Sequence, residues 1–219
     1  MVKLTERLKC VAELINPCDS FIDIGTDHAY LPAYLVSQNI IKHAIAGDIA
    51  PNPLKNAKKT VKREGLEDVV ELRLSDGFDE IGPDEGTEIA IAGLGGLMIA
   101  EMLNKTEWLR DEKYHLVIQP MTHFEDVRFA LNNNGFTVEK EMAVAEGRRL
   151  YLVLSARYCG KVEKRPLHWY YIGSLHESDR LTDRQFAERV KKSLYKKYKG
   201  TDDEITLEIL RSIENGKGK

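Results

Sequence analysis

Apolar side chains at Leu4, Leu8, Val11, Ala12 and Ile15 recur with helical spacing, so residues 3–15 are expected to form an amphipathic helix ending before Pro17. Beyond it the period changes. Short apolar, β-rich runs at 21–24, 44–49, 69–74, 88–92 and 116–119 alternate with stretches long enough for helices. Strand, helix, strand repetition predicts a parallel sheet with right-handed crossovers. After Gly135 the runs FTVEKEMAVAE and RRLYLVLSARY are joined only by the turn around Gly147, which leaves no room for a helix. They are expected to pair antiparallel. Past Pro166 the composition turns polar, with helix-like stretches at about 182–199 and 203–215, and the final residues NGKGK are expected to fray. The expected organisation is an α/β domain over 1–159 followed by a small helical module over 160–219.

Composition narrows the class. With 219 residues, 42% apolar and 31% charged, the chain is neither disordered, collagen-like nor membrane-spanning by composition. The opening MVKLTERLKCVAELI interleaves charges with apolar residues, unlike a signal peptide, and no later apolar run approaches the ~18 residues of a membrane span. A cytoplasmic protein is expected. Cys10, Cys18 and Cys159 are odd in number and widely spaced, which suits reduced thiols; the six histidines are scattered, so no metal site is expected. The net charge of −3 conceals an asymmetry, because residues 160–219 carry 14 basic and 10 acidic side chains against 18 and 25 in residues 1–159. Six of those basic groups fall in RVKKSLYKKYK, Arg189 to Lys199, with no acidic residue among them. Arg189, Lys191, Lys192, Lys196 and Lys197 are therefore candidates for a polyanion-facing surface, with a solvated helix face as the plainer alternative.

The chemistry concentrates at strand ends. In an open α/β sheet, ligands bind outside the carboxyl ends of the strands. There the first strand runs into Asp23-Ile24-Gly25-Thr26-Asp27-His28-Ala29-Tyr30. A dinucleotide fingerprint starting at Gly25 would need glycines where Asp27 and Tyr30 stand, and a pyrophosphate would be repelled by Asp23 and Asp27. S-adenosyl-L-methionine carries a sulfonium and an ammonium and no phosphate, so an acidic loop suits it. Capping of the next helix by Asp27 or His28 is the structural alternative. Asp48, followed by Ile49, ends the second strand, where an acidic residue accepts from adenosine ribose hydroxyls. Ser75-Asp76-Gly77-Phe78 follows the third, as an adenine-facing carboxylate with a glycine or as a tight turn. Ala92-Gly93-Leu94-Gly95-Gly96 follows the fourth, and its glycines permit close approach of a ligand. It lacks the Asn-Pro-Pro-aromatic type of motif common in enzymes that methylate exocyclic amines, which directs attention to a ring nitrogen. Gln119, Pro120 and His123 stand at the pocket edge or in a plain turn after the fifth strand.

Five parallel strands followed by a hairpin match the strand count of the class I methyltransferase sheet, a Rossmann-like fold with an antiparallel seventh strand. The linked segments DIGTDHAYLP, AGDI, SDGF, IAGLGG and QP resemble those of the bacterial tRNA methyltransferases that act on N1 of adenine 22 in the D-arm. The resemblance covers roughly residues 3–159. It implies S-adenosyl-L-methionine as cofactor, tRNA as partner, and a helical C-terminal part that helps to hold the RNA; a monomer is expected, with no membrane and no metal. Carried over by position, Asp23, Gly25, Asp48, Ile49, Asp76, Gly77, Ala92 and Gly93 belong to the cofactor site, while Asp27, His28 and Tyr30 face the junction with the substrate. A methyltransferase with another substrate, and a non-catalytic S-adenosylmethionine-binding protein, are the competing expectations.

Overall fold

A computed structural model describes residues 2–215; residues 216–219, most of the stretch expected to fray, lie outside the described residues. In chain order the elements are α1 (Glu6–Ala12), β1 (Cys18–Ile24), α2 (Tyr30–Ser37), β2 (Ile41–Asp48), α3 (Pro51–Glu64), β3 (Val70–Leu74), β4 (Glu88–Leu94), α4 (Gly96–Lys105) and β5 (His115–Pro120). They continue as α5 (Phe124–Asn133), β6 (Phe136–Glu146), β7 (Arg149–Tyr158), α6 (Leu167–Ile172), α7 (Leu181–Thr201) and α8 (Glu204–Asn215). The seven strands form one sheet in the order β3-β2-β1-β4-β5-β7-β6. All pairs from β3 to β5 are parallel, and β7 runs antiparallel between β5 and β6. This is the Rossmann-like methyltransferase sheet expected from the sequence.

Burial explains the strand sequences. Every residue of HLVIQP in β5 is buried, as are the last four of β1, because helices cover both faces of the parallel strands. The edge strand β3 reads VELRL instead, with a charged residue at every other position.

Two helical expectations need correction. The first helix is confined to Glu6–Ala12: Thr5 takes a β conformation and caps it by accepting from the Leu8 amide. Leu4, Leu14 and Ile15 are buried outside the helix, so their apolar spacing reflects core contacts beyond its ends. The C-terminal part contains α6 in addition to the two helices foreseen.

That part is bonded firmly to the sheet. Ile172, Phe186, Leu194, Leu210 and Ile213 join the same apolar core as Ile91, Leu116 and Leu154. Asp183, buried on α7, accepts from the Ala143 amide of β6 at 2.6 Å. Arg128 of α5 is wholly buried; it donates to Glu141 of β6 at 2.7 Å and to the carbonyls of Tyr170 and Tyr171 at 3.1 and 3.3 Å. Among the described residues, no helix is long and apolar enough to cross a membrane.

Candidate functional site

The sheet changes winding direction between β1 and β4, so their carboxyl ends diverge and leave a crevice. The acidic loop after β1 enters it. Gly25 and Thr26 both donate their N–H groups to the Gly47 carbonyl, at 2.9 and 3.0 Å, which clamps this loop to the end of β2. Gly25 has φ 76°, and a Cβ there would press on Leu94 at 2.9 Å, so no side chain fits without strain. Asp23 lies beneath, only 4% exposed, accepting from the Thr26 hydroxyl at 2.6 Å. Burial is the main cause that holds its carboxyl up at about 6; the Thr26 hydrogen bond opposes the rise and the nearby Asp48 carboxylate adds to it.

Asp48 accepts from the Ala50 amide at 2.9 Å and from the Asp27 amide at 3.4 Å, which fixes its carboxylate at the mouth of the crevice. The structure therefore brings Asp23, Gly25 and Asp48 together, with Asp27 joined through its backbone. Asp27 and Ala29 take left-handed conformations, φ 43° and 53°, at a cost of about 1–3 kcal/mol each. The N-cap of α2 is Ala29, with no side-chain cap, so Asp27 and His28 do not serve the capping role. Asp27 is exposed, His28 Nε2 lies 3.5 Å from its carboxylate, and the His28 ring stacks on Tyr30 at 4.9 Å and 9°.

The segment after β3 is a tight turn. Ser75 donates its hydroxyl to the Gly77 carbonyl at 2.9 Å and accepts from the Glu80 amide at 3.1 Å. Gly77 is buried against Met102, whereas Asp76 is exposed at a small cavity it shares with Asp79, Met98 and Glu101. Of the large apolar groups at the strand ends, Ile49 was the one expected at the cofactor site. Leu74, Leu97 and Met98 are also exposed, and with Ile49 they end β3, follow β2 and open α4, all at the carboxyl edge of the sheet. Exposed large apolar side chains gathered at one edge are available to cover a flat ring.

Beyond Ala92, half-buried at an irregularity in the β4–β5 pairing, Gly93 has φ 83° and donates its amide to Gln119 Oε1 at 3.1 Å. Gln119 is fully buried, and the same oxygen accepts from the Arg7 guanidinium, which also lies 5.7 Å from the centre of the Tyr151 ring. Arg7 was not among the expected site residues. It belongs to α1, ahead of the first strand, and only the packing of that helix across the strand ends reveals it. Pro120 closes β5, and His123, left-handed at φ 52°, caps α5 and contacts Asp126 at 3.2 Å. Although no metal site was expected, His123, Glu125 and Asp126 converge to within 4.8 Å on the protein surface.

On α7, Arg189, Lys192, Lys196 and Lys197 are exposed. Lys191 differs. Its ammonium lies 3.8 Å from Glu214 and 5.6 Å from the centre of the Tyr195 ring, while Leu194 is buried in the core. The basic run is thus a helix with one packed face and one cationic face. A second set of exposed cations, Lys55, Lys58, Lys59, Lys62 and Arg63, lies on α3, which packs near the opposite edge of the sheet.

The donor set fits an adenosine-bearing cation. A carboxylate stands at the end of β2 for ribose hydroxyls, a buried carboxyl under the β1 loop gains from a nearby positive charge, and Gly25 and Gly93 supply the positive-φ backbone that shapes the two strand-end loops. Fold and site together define a class I methyltransferase. The family model described as a methyltransferase domain matches residues 4–154, and the chain belongs to that family. It is 37% identical over 155 residues, 71% of this chain, to the tRNA (adenine(22)-N(1))-methyltransferase of Bacillus subtilis; the match spans 65% of that relative's length. The crystal structure of the B. subtilis m1A22 tRNA methyltransferase TrmK superposes with a TM-score of 0.81 at 29% identity, covering 98% of this chain and 96% of that one. TrmK of M. capricolum, in complex with S-adenosyl-homocysteine, gives 0.78 at 27% identity over 97% and 94%. The resemblance to the adenine-22 tRNA methyltransferases is borne out at the level of the family.

Proposed function

We propose that this protein transfers a methyl group from S-adenosyl-L-methionine to N1 of adenine 22 in the D-arm of tRNA, acting in the cytoplasm as a monomer. The observation that carries the reading is a likeness to TrmK that extends past the sheet through the C-terminal helices, covering 98% of this chain. Residues 1–159 form the cofactor-binding part and residues 160–219 the part that grips RNA.

S-adenosyl-L-methionine supplies an electrophilic methyl group when bound. Asp48 holds the ribose hydroxyls, and Asp23 faces the cationic end of the ligand. Ile49, Asp76 and Gly77 border the adenine, while Ala92 and Gly93 line the approach to the methyl. N1 of adenine carries an in-plane lone pair and needs no prior deprotonation, so the enzyme's task is alignment of nucleophile and methyl. Methylation leaves the base cationic, and Asp27 stabilises that charge or accepts from the amino group. Tyr30, braced by His28, steers the base. Because N1 lies on the pairing edge, the nucleotide must be unpaired or extruded, at a cost of a few kcal/mol that phosphate contacts offset.

The test is incubation with labelled cofactor and unmodified tRNA, followed by mapping of the modified nucleotide. N1-methyladenosine at position 22 is the expected product. Cofactor binding without transfer would leave a non-catalytic binding protein, and N6-methyladenosine formed directly would refute the ring-nitrogen argument.

A further inference from the structure

A cavity of about 570 Å³ opens between the turn after β5, the start of β7 and the helices α6 and α7. Its volume falls within the range of roughly 300–1,000 Å³ common to small-molecule sites. Phe124, Arg149, Tyr151, Tyr171 and Arg189 line it, with Glu125 as the carboxylate in its wall. None of Asp23, Gly25, Asp48 or Gly93 does. The cavity nevertheless shares structure with the crevice. The Thr122 carbonyl in its wall accepts from the Gly96 amide at 3.0 Å, and Arg7, bonded to Gln119, lies over the Tyr151 ring.

Two properties specify what it takes. Arg149 and Arg189 are exposed and neither has an ion pair among the described residues, so the lining offers two guanidinium groups against the one carboxylate of Glu125. A guanidinium matches phosphate oxygens in bidentate geometry. The walls are aromatic and held in place: Phe124 meets Phe186 edge-on at 5.1 Å, and Tyr151 carries the Arg7 cation. Aromatic faces beside cations suit single-stranded nucleic acid, since every base presents a face for stacking.

We infer that this cavity is a nucleotide subsite. It takes one unpaired nucleotide flanking the reacting adenosine, with its phosphate on Arg149 and Arg189 and its base against Tyr151. The inference rests on RNA being the substrate. Because the cavity lies beside the strand-end crevice and shares none of its carboxylates, its occupant is a neighbour of the reacting base. Through Tyr151, Arg7 and Gln119, the seated nucleotide touches the same bonded chain that fixes the Gly93 loop.

The experiment compares wild type with R149A/R189A, R149K/R189K, Y151A and Y151F, measuring KM and kcat for unmodified tRNA at two salt concentrations and cofactor binding by calorimetry. For R149A/R189A, KM for tRNA is expected to rise about tenfold and the log–log salt slope to fall by about 1–2. Tyr151→Ala is expected to raise KM about tenfold, whereas Tyr151→Phe, which keeps the ring, stays within about twofold of wild type. Lysine at both arginine positions keeps the charge and loses the fork, so partial recovery is expected. Cofactor affinity reports that each variant remains folded. If wild type methylates tRNA and every variant keeps its KM within about twofold, the subsite is wrong while the function stands. A loss confined to kcat would put the reacting adenosine itself in the cavity and overturn the flanking assignment. Wild type that methylates no tRNA removes the RNA reading and the subsite with it.

Discussion

The Gly93 amide and the Gln119 side chain share a 3.1 Å hydrogen bond, and through it a fully buried amide at the end of β5 governs the loop after β4. Arg7 donates to the same oxygen, so one acceptor ties together three segments distant in sequence. Gln119→Leu preserves volume but leaves two donors without a partner. The expected result is a loss of about 1–3 kcal/mol in urea unfolding, together with weaker S-adenosylmethionine binding. Unchanged stability would show that water replaces the acceptor.

Asp23 predicts an unusual pH profile. Its folded carboxyl titrates at about 6, above the ordinary 3.8, so the folded chain holds this proton more tightly than the unfolded one. Its contribution to stability is therefore fully present below pH 3.8 and is lost as pH rises toward 6. At pH 7 the buried carboxylate costs on the order of 3 kcal/mol. Asp23→Asn is expected to raise the melting temperature of the unliganded protein at pH 7, with the gain vanishing near pH 4, while cofactor affinity falls. A variant that melts below wild type at pH 7 would contradict this account.

Asp48 and Asp27 should separate in their effects. Asp48→Ala removes the carboxylate proposed to hold the ribose and is expected to weaken cofactor binding by about 1–3 kcal/mol in calorimetry. Asp27→Ala keeps the backbone amide that Asp48 accepts from, so binding should survive while the single-turnover transfer rate falls. Full transfer rate in Asp27→Ala would remove its assigned role.

The α7 surface is best tested without Lys191, whose ammonium is engaged by Glu214 and Tyr195. Changing Lys192, Lys196 and Lys197 to Glu is expected to leave the thermal transition within a few degrees of wild type. It should weaken tRNA binding steeply at low salt, less so at high salt where screening already suppresses phosphate contacts. Anisotropy titrations at two salt concentrations decide it; an unchanged affinity and slope would make this a solvated helix face.

The parallel strands were legible because their apolar runs are bounded by turns, and the hairpin because its eleven- and ten-residue strands leave only Gly147 and its neighbour Arg148 between them. Asp23, Gly25 and Asp48 were legible for a related reason: strand-end positions in such a sheet point at one crevice, so order along the chain already implies proximity. Arg7 was hidden, since nothing in a short amphipathic helix says that its arginine reaches a glutamine more than a hundred residues away. The six residues of α6 were equally hidden, being too few to display a helical period, and α1 was overextended because core contacts continue past its ends. Nothing in the pattern of apolar positions marked Leu74, Leu97 and Met98 as exposed.

Arg128 fixes the C-terminal helices to the sheet. Its buried guanidinium joins Glu141 of β6 to the carbonyls of Tyr170 and Tyr171, and Glu141 in turn accepts from the amide and hydroxyl of Ser174. For the last three helices to swing as a jaw, these bonds would have to open inside the protein, where an unpaired guanidinium costs about 3–5 kcal/mol. The protein is accordingly an anvil rather than a clamp: the cationic face of α7 and the aromatic cavity stand on one bonded frame with the strand ends, so on the proposed function it is the RNA that must fit their spacing.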